Sequence, residues 1–423
     1  MKLPGVFALG VVLALLPAGA SAQLGGLGGV GGGLGAGLGR LGPGLPINPN
    51  GPLGAVPGNL GRDLDTLRRA TDIDLVGRPA NTLRLLGHDA QGAPVVRDEV
   101  IAVSPTETGI SVARQLGFEV IERDQLDALG LSSAVLRTPR GMDPVQAVTT
   151  LRQADPTGSY DFAHVYNPSG DVVRADNSAA SVPGVTGAMR IGMIDGPVNK
   201  RHSALSAAAI TTARFAGKSE PPGSPHGTAI ASLLVGKDGD FAGYLPGATL
   251  YAADVYGGDG SGGTASDIAL ALNWMAANRI AVTNISLAGP SNALLEAAVK
   301  AFVQKGYILV AAVGNDGPAA PPNYPAAYPG VIAVTSVDTD GHLQLDANTG
   351  GRYAALGVNV RAAALPRGYS RVTGTSYAAP AVAAHLAALV DSPDPFKRQE
   401  ATSKLVTSAV KLEAGGSAIY LIR

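Results

Sequence analysis

The chain has 423 residues, of which 46% are hydrophobic and 15% are charged, and its formal net charge is -1. Such a chain is long enough for two or three units with a large buried core, and Lys and Arg do not cluster, so no nucleic-acid partner is expected. The chain contains no cysteine, which excludes disulfides, a thiolate nucleophile and a cysteine-based zinc site.

The N-terminus has the pattern of a cleaved export signal. Lys2 supplies a short positive region, an apolar run covers residues 6–16, and residues 20–22 (Ala-Ser-Ala) form a small-residue cleavage pattern. The alternative is a membrane anchor, but the apolar run is too short to span a bilayer comfortably. We predict a signal peptide over residues 1–22, export to a periplasm or to the medium, and no membrane span after signal removal.

Residues 23–92 are interpreted as a Gly/Pro-rich flexible segment and linker. Gly, Leu and Pro dominate from residue 24 to about residue 60. A G-x-G-x-x-G match there follows from composition, because no strand pattern precedes it and no helical pattern follows it. Such a segment buries too little apolar surface to compensate for the conformational entropy that it would lose on ordering, so it is expected to be flexible.

A small α+β domain is predicted over residues 93–167. Strand-like and helix-like runs alternate in the order β-α-β-β-α-β, which is the split βαβ, or ferredoxin-like, arrangement. The strands are predicted at 99–103, 118–121, 133–137 and 162–166, and the helices at 106–116 and 143–153. Asp143 suits the N-cap of the second helix, and Pro144 suits its first turn.

Residues 168–423 are predicted to form an α/β domain. Short runs rich in Val and Ile alternate with helical stretches, which predicts a mostly parallel sheet with helices on both faces. The strands are predicted at 190–194, 249–255, 282–286, 308–312 and 331–334, and helices include 266–278 and 294–304. In such sheets, functional sites form at the carboxyl ends of the strands.

Four polar residues stand where this architecture would form a site. Asp195 ends a strand, where a carboxylate can fix the tautomer of a histidine, and His226 begins an apolar helical run. Ser376 lies in a small-residue turn before a helix predicted over 381–389, at a helix end that favours a developing oxyanion. Asn315 follows a buried strand, and its amide could donate to an oxyanion.

Each of these residues has an ordinary explanation when it is considered alone. A strand-end Asp, a loop His, an N-cap Ser and an Asn in a turn are all common. In this chain they occur together in the order Asp…His…Asn…Ser. The order Asp…His…Ser is one of the known convergent orders of a catalytic triad.

With their neighbours, these residues form motifs that resemble those of the subtilisin-like serine proteases. The motifs are residues 226–228 (His-Gly-Thr), 314–317 (Gly-Asn-Asp-Gly) and 374–380 (Gly-Thr-Ser-Tyr-Ala-Ala-Pro), and the resemblance covers roughly residues 165–423. It implies that Ser376 attacks the scissile carbonyl, that His226 transfers the proton and that Asp195 orients His226. It also implies that the Asn315 amide and the Ser376 N–H hold the oxyanion.

The same resemblance implies a cleft for an extended peptide. One wall would be formed by Gly260, Ser261 and Gly262, and the opposite wall by Ser286, Leu287 and Ala288. Main-chain pairing would then give affinity. The alternative is that both are ordinary strand-end loops.

Residues 93–167 resemble the inhibitory pro-domain of these enzymes. Their last strand would lead into the cleft, with self-cleavage between about residues 166 and 185. The expected partners are therefore protein or peptide substrates and the chain's own pro-domain. The alternative is a retained accessory domain.

The chain departs from the usual family pattern at several positions. Gly196 and Pro197 follow Asp195, where the family usually has a hydroxyl residue and then Gly, and Ala288 replaces a usual Gly. The loop over 236–243 is shorter than the usual calcium loop. No cofactor and no metal site are predicted: calcium is possible but is not supported by the sequence, and residues 238–240 (Asp-Gly-Asp) are better explained as a solvated turn.

The remaining histidines are weaker candidates. His164 and His342 have no evident partners in the sequence, and no H-E-x-x-H pattern occurs. The resemblance and the N-terminal pattern together imply an exported serine endopeptidase that is matured by removal of its pro-domain. One alternative is a catalytically impaired binding protein on the same fold, because the surroundings of Asp195 are changed. An α/β-hydrolase esterase is disfavoured, because that class uses G-x-S-x-G and the order Ser…Asp…His.

Overall fold

The structure is a computed structural model that describes residues 86–175, 189–217, 222–257, 263–414 and 417–422. The predicted signal peptide and most of the predicted linker lie outside these ranges. All described residues belong to one of two compact units, residues 63–423. Within the described ranges, no helix is both long enough and apolar enough to cross a bilayer.

The first part of the described chain is a small domain with an antiparallel sheet and two helices. Its elements are β1 (Leu86–His88), β2 (Pro94–Val103), α1 (Glu107–Gln115), β3 (Glu119–Leu126), β4 (Leu131–Arg137), α2 (Pro144–Ala154) and β5 (Ser159–His164). The strand order is β5-β2-β4-β3, and β1 also pairs with β2. The sheet therefore begins at Leu86, within the range that the sequence assigned to the linker.

The helix starts of the small domain follow from capping side chains. Thr106 accepts from the Gly109 N–H at the start of α1, and Asp143 accepts from the Gln146 N–H at the start of α2.

Alternation along β2 divides its side chains between two cores. Val100 and Ala102 pack with the two helices, whereas Ile101 packs with the domain that follows.

The rest of the chain contributes the following strands and helices. The strands are β6 (Asn167–Pro168), β7 (Asp171–Ala175), β8 (Arg190–Asp195), β9 (Ile210–Arg214), β10 (Lys237–Asp238), β11 (Phe241–Ala242), β12 (Thr249–Asp254), β13 (Val282–Ile285), β14 (Leu287–Ala288), β15 (Ile308–Ala312), β16 (Ile332–Val337), β17 (Tyr353–Leu356), β18 (Val360–Ala363), β19 (Tyr369–Thr373), β20 (Val410–Ala414) and β21 (Ser417–Leu421). The helices are α3 (Pro225–Val235), α4 (Ala265–Ala277), α5 (Ala293–Gln304), α6 (Thr375–Leu389) and α7 (Pro395–Ser408).

Nine of these strands form one sheet in the order β20-β21-β17-β16-β15-β13-β8-β12-β9. All neighbouring pairs are parallel except β20 with β21. Ile191 and Met193 of β8 face a core shared with α3 and α6, whereas Ile194 faces a core shared with α4 and α5. The predicted fold class, a mostly parallel sheet with helices on both faces, is confirmed.

The helix that carries Ser376 starts earlier than the sequence suggested. It was predicted over 381–389 but begins at Thr375, so Pro380 lies inside it. Proline lacks the N–H that would donate to the carbonyl four residues earlier, which belongs to Ser376. That carbonyl instead accepts from Ser286 Oγ at 3.0 Å. A tertiary hydrogen bond thus replaces the missing helical one.

The start of α5 is held jointly by both domains. Asn292 Oδ1 caps the helix by accepting from the N–H groups of Leu294 and Leu295. Asp161 of β5 reaches across from the small domain, and its Oδ2 accepts from the Ala293 N–H at 2.7 Å. A carboxylate is favoured at a helix N-terminus, so this contact stabilises the docking of the two domains.

Two histidines that had no evident partners in the sequence make polar contacts. His164 is buried at the contact between the domains, where its Nε2 lies 3.1 Å from Asp89 Oδ2 and its Nδ1 lies 3.1 Å from Asn292 Nδ2. Exposed His342 lies 3.2 Å from Asp338 Oδ2. The His164 partners are 75 and 128 residues away in the chain, so local sequence gave no signal for them.

Two partly buried carboxyl groups have raised pKa values where the small domain meets α4. The pKa of Glu99 is raised from its usual 4.5 to about 7, mainly by burial and then by the charges of Asp98 and Glu122. Burial also raises the pKa of Asp267 from its usual 3.8 to about 7, although hydrogen bonds from Thr264 act in the opposite direction. Glu122 and Glu99 add to the Asp267 shift, so the interaction extends across the contact.

The uncut chain is expected to lose stability as the pH rises from about 5 to 8. Glu99 and Asp267 bind protons more tightly in the folded chain, so their contribution is complete below their usual pKa and is lost as the pH passes about 7. One pKa unit corresponds to about 1.4 kcal/mol, and 1 kcal/mol shifts Tm by about 2–4 °C for a domain of about 150–250 residues and by less for a longer chain. Thermal unfolding followed by circular dichroism should show a Tm several degrees lower at the higher pH.

A pair of glutamate variants tests the origin of this dependence, with Ser376→Ala in every chain so that it stays intact. Glu99→Gln should flatten the fall between pH 5 and 8. Glu107→Gln is the control, because the Arg123 hydrogen bond lowers the pKa of Glu107 and its contribution changes only at lower pH. Equal slopes for the parent and Glu99→Gln would contradict this assignment.

Candidate active site

The buried carboxylate Asp195 orients His226. Asp195 is the last residue of β8, and His226 is the second residue of α3. Asp195 Oδ1 lies 2.9 Å from His226 Nδ1 and also accepts from the Gly196 N–H at 2.7 Å. A carboxylate at this position places the imidazole proton on Nδ1 and leaves Nε2 as the acceptor. Within the described residues, buried His226 Nε2 has no hydrogen-bond partner.

Ser376 is the second residue of α6 and is fully buried. Its hydroxyl donates to the Ser286 carbonyl at 3.1 Å, and the Ser286 hydroxyl donates to the Ser376 carbonyl at 3.0 Å. Asn284 Nδ2 in turn donates to Ser286 Oγ at 2.9 Å. This reciprocal pair fixes the start of α6 against the end of β13. The Ser376 hydroxyl is therefore hydrogen-bonded to Ser286 in this structure and not to His226.

Sequence reasoning assigned Ser286 to the cleft wall but missed its hydrogen bonds to Ser376. Pro380 was an available signal, because a proline inside a helix leaves one carbonyl without its usual donor. The contact between the rings of His226 and Tyr377, whose centroids are 5.5 Å apart, brings the α3 and α6 starts together.

Asn315 lies in the loop after β15, beside the start of α6. Its Oδ1 accepts from the Thr375 N–H at 3.0 Å and from Gln344 Nε2 at 3.2 Å. The Thr375 hydroxyl also accepts from the Gly314 N–H at 3.1 Å. With its oxygen held in this way, Asn315 has the two hydrogens of Nδ2 to offer elsewhere. Thr375 and Gln344 are positioning residues that sequence reasoning missed.

The carbonyl of Ser169 lies close to these donors. The Ser376 N–H donates to Ser169 O at 3.2 Å. A Cβ on Gly374 would lie 3.1 Å from both Ser169 O and Asn315 Nδ2, and 2.6 Å from the Gly170 Cα. Gly374, with φ of 152°, therefore leaves room for a peptide carbonyl at the start of α6 that a side chain would fill.

Residues 167–169 pair with the predicted cleft wall at Ser286, Leu287 and Ala288. β6 and β14 are antiparallel, with Leu287 opposite Pro168 and Ala288 opposite Asn167. The Ser169 N–H donates to the Ser286 carbonyl at 3.2 Å. The wall therefore pairs with an extended peptide segment through main-chain hydrogen bonds, in the manner of strand addition.

The other predicted wall, Gly260, Ser261 and Gly262, lies outside the described residues. The adjoining Gly263 carbonyl accepts from the Tyr166 N–H at 2.8 Å. Val165 forms an antiparallel bridge with Thr264. The extended segment is thus bounded on this side as well.

The position after Asp195 lacks room for a side chain. A Cβ on Gly196 would lie 2.5 Å from Ser224 Oγ, the hydroxyl that caps α3 by accepting from the Gly227 N–H at 2.9 Å. Within the described part of the chain, buried Asp195 Oδ2 has no hydrogen-bond partner. A hydroxyl side chain at 196, which is usual in the family, would therefore collide with the serine that caps the helix carrying His226.

The turn over 238–240 lies at the surface, and its carboxylates also bond to neighbouring side chains. Gly239, with φ of 56°, connects β10 to β11. Asp238 Oδ2 accepts from the Tyr369 hydroxyl at 2.8 Å, and Asp240 lies 3.3 Å from the Arg361 guanidinium. The Asp240 side chain remains 58% exposed, as expected for a solvated turn.

Among the described residues, Asp338, Asp340 and His342 have ligand atoms close enough together to share a cation. They lie on a surface turn in which Asp338 Oδ1 accepts from the N–H groups of the other two residues at 2.9 Å each. These internal hydrogen bonds account for the arrangement of the turn.

Comparisons with known proteins agree with this architecture. Residues 187–419, more than half of the chain, match the family model described as "Subtilase family". The Minor extracellular protease Epr of Bacillus subtilis (strain 168) is 34% identical over 212 residues, which covers 49% of this chain but only 33% of that protein. The Alkaline protease of Alkalihalobacillus alcalophilus is 30% identical over 314 residues, covering 71% of this chain and 77% of that protein.

A solved structure shares the fold over a larger part of the chain. It is fervidolysin from Fervidobacterium pennivorans, described as a keratinolytic enzyme related to subtilisin. The TM-score is 0.62 with 18% sequence identity, and the match covers 78% of this chain and 60% of that one. At this identity the likeness concerns the fold alone.

Proposed function

The chain belongs to the subtilase family of serine proteases, and from this premise we propose that it hydrolyses peptide bonds in proteins with Asp195, His226 and Ser376. The observation that carries the proposal is the 2.9 Å contact between Asp195 Oδ1 and His226 Nδ1, together with a His226 Nε2 that has no hydrogen-bond partner among the described residues. A base with a fixed tautomer and a serine hydroxyl at a helix start are the parts that acyl transfer requires.

The proposed reaction proceeds through an acyl-enzyme. Ser376 Oγ adds to the substrate carbonyl carbon while His226 Nε2 takes the hydroxyl proton. The carbonyl oxygen becomes an oxyanion, to which the Ser376 N–H and Asn315 Nδ2 donate. His226 then gives its proton to the leaving amine, and water attacks the ester by the same steps. Asp195 keeps the imidazole oriented and stabilises its charged form.

The oxyanion site and the helix dipole act on the same atom. The N–H groups at the start of α6 point toward the place where negative charge develops, and a helix N-terminus favours such charge. The Asn315 carbonyl oxygen is already held by Thr375 and Gln344, so its amide needs little reorganisation. The chemistry proposed here uses side chains and backbone groups alone, without a cofactor.

The proposal includes export and maturation. The N-terminal pattern supports a signal peptide that ends at residue 22, and residues 93–167 would serve as a pro-domain that is removed outside the cytoplasm. Two hydrogen bonds join the domains, from the Ala293 N–H to Asp161 and from the Asn292 amide to the Phe162 carbonyl. They support the proposal that the small domain assists folding of the larger one before cleavage. The substrate is proposed to be an extended segment of a protein chain.

An active-site reagent tests the proposed nucleophile. The chain from Gln23 onward is incubated with phenylmethanesulfonyl fluoride, and casein hydrolysis and the mass of the peptide containing Ser376 are followed. We expect hydrolysis of casein before treatment, and afterwards loss of hydrolysis with one sulfonyl group on Ser376. A His226→Ala chain, in which the base is missing, should remain unlabelled at Ser376.

Two results would overturn the proposal. Casein hydrolysis that persists when Ser376 is fully labelled would assign the activity to another group. A chain that neither hydrolyses casein nor takes up the reagent would instead favour a binding protein on the same fold.

A further inference from the structure

The contacts of residues 165–170 single out one peptide bond of this chain. We propose that the enzyme cuts itself between Ser169 and Gly170, so that the mature protein begins at Gly170. The inference rests on the proposed function and adds the position of the cut, which sequence analysis limited only to the region between about residues 166 and 185.

The register of the segment is fixed on both sides of the cleft. On one side, Asn167 and Pro168 pair with Ala288 and Leu287. On the other, the Tyr166 N–H donates to the Gly263 carbonyl at 2.8 Å. A shift by one residue would reverse which side chains face the cleft and break this pairing.

The Tyr166 side chain anchors the register. Tyr166 is fully buried, and its hydroxyl donates to the Pro290 carbonyl at 2.7 Å. A Cβ on Gly289 would lie 2.5 Å from the Tyr166 ring, so the glycine provides the space that the ring occupies. Tyr256 also donates from its hydroxyl to the Tyr166 carbonyl at 3.1 Å. These contacts leave the segment little freedom to slide.

With this register, the Ser169 carbonyl is the one presented to Ser376. Ser169 O accepts from the Ser376 N–H at 3.2 Å, and the Ser169 N–H donates to the Ser286 carbonyl at 3.2 Å. The same Ser286 carbonyl accepts from the Ser376 hydroxyl at 3.1 Å. The Ser286 carbonyl therefore accepts both from Ser169, the residue before the proposed cut, and from the Ser376 hydroxyl that would attack it.

The chain is also held beyond the bond. Asp171 pairs with Thr373, the last residue of β19, and β7 continues along β19 to Ala175. Gly170 has φ of 155°, and a Cβ on it would lie 2.6 Å from the Tyr377 ring. Only a residue without a side chain fits here, so Gly170 lets the chain pass closely over the start of α6.

The reaction at this bond is the proposed acyl transfer with the chain as its own substrate. Ser376 Oγ bonds to the Ser169 carbonyl carbon and its proton passes to His226 Nε2. The bond from that carbon to the Gly170 nitrogen then breaks, and His226 returns the proton to the nitrogen as a free amine. Water hydrolyses the Ser169 ester, which leaves a carboxylate on Ser169 and restores the Ser376 hydroxyl.

Intact-mass and N-terminal analysis tests the position of the cut. The chain from Gln23 onward is diluted from denaturant, samples are quenched over time, and both fragments are identified. We expect a fragment that begins Gly170-Asp171 and a partner that ends at Ser169. Casein hydrolysis by the same sample reports whether the enzyme is active.

A pair of matched glycine variants tests the geometry. Gly170→Ala should slow cleavage at this bond by about 100-fold, because displacement of the reacting carbon by about 1 Å has an effect of that size. Gly184→Ala makes the same chemical change within the window set by the sequence and should leave the rate unchanged. Circular dichroism of both variants, made also with Ser376→Ala, shows whether each still folds.

The possible outcomes separate this inference from the proposed function. A first cut at another bond, with casein hydrolysed, or a Gly170→Ala chain that folds and cuts at the normal rate, would overturn the inference and leave the protease proposal standing. An intact chain that does not hydrolyse casein would overturn both. A Gly170→Ala chain that fails to fold leaves the wild-type N-terminus as the deciding result.

Discussion

Replacing Ser376 with alanine is expected to leave the precursor intact and to abolish peptide-bond hydrolysis. The variant lacks the hydroxyl of Ser376, although the Ser376 N–H that donates to the Ser169 carbonyl remains. Loss of the serine from a related triad lowers kcat by about 10⁶-fold, and we expect a loss of that order. The first-order rate of precursor cleavage, followed by mass spectrometry after dilution from denaturant, measures it directly.

Ser266→Ala is the matched control. Ser266 is also a buried helical serine, but its hydroxyl has no hydrogen-bond partner in the described part of the chain. Removing an unpaired buried hydroxyl should leave cleavage unchanged and should not reduce stability. Cleavage of the Ser376→Ala chain at more than a trace of the parental rate would exclude Ser376 as the nucleophile.

Asparagine at 195 should impair cleavage less than alanine at 195. Asp195 Oδ1 accepts from both the Gly196 N–H and His226 Nδ1, so an asparagine would present its oxygen there and turn its NH₂ away. The imidazole would keep its tautomer and lose only the negative charge beside it. Charges about 4 Å apart interact by about 4 kcal/mol at an effective dielectric constant of 20, which corresponds to about 10³-fold in rate.

Asp195→Ala removes both the charge and the hydrogen bond that orients His226, and a loss on the order of 10⁴-fold is expected. Asp254→Asn is the control for a nearby strand-end carboxylate. Asp254 lies opposite Asp195 in the next strand, and its Oδ1 accepts from the Tyr256 N–H, which an asparagine oxygen can also do. The comparison uses the same single-turnover cleavage assay. Equal cleavage rates for the alanine and asparagine variants would show that the Gly196 N–H does not hold the introduced asparagine with its oxygen toward His226.

The fold and the identities of the candidate residues were accessible from sequence because both depend on local patterns. Short Val- and Ile-rich runs identified the parallel strands, and capping residues such as Asp143 marked helix starts. Asp195, His226 and Ser376 carry distinctive neighbours on the elements that hold them. The distances between them are a property of the folded sheet, which brings the ends of β8, α3 and α6 together.

The contacts that sequence reasoning missed are those between distant elements. Nothing local links His164 to Asp89 or to Asn292, and nothing near Thr375 indicates that its N–H holds Asn315. The start of α6 was misplaced because Pro380 was expected at the very beginning of the helix, where a missing N–H is tolerated, and not in its second turn. The hydroxyl that donates to the Ser376 carbonyl in place of the missing Pro380 N–H belongs to Ser286, which is 90 residues away from Ser376 in the chain.

Pro380 shows how a residue can shape a site that it does not touch. Because Pro380 has no N–H, the Ser376 carbonyl is free to accept from the Ser286 hydroxyl. Any other residue at 380 would offer a backbone N–H that competes for this carbonyl. The helix gives up one internal hydrogen bond, worth about 1 kcal/mol net. In return, Ser286 hydrogen-bonds to both the Ser376 carbonyl and the Ser169 N–H, so one residue positions the peptide and the attacking serine together.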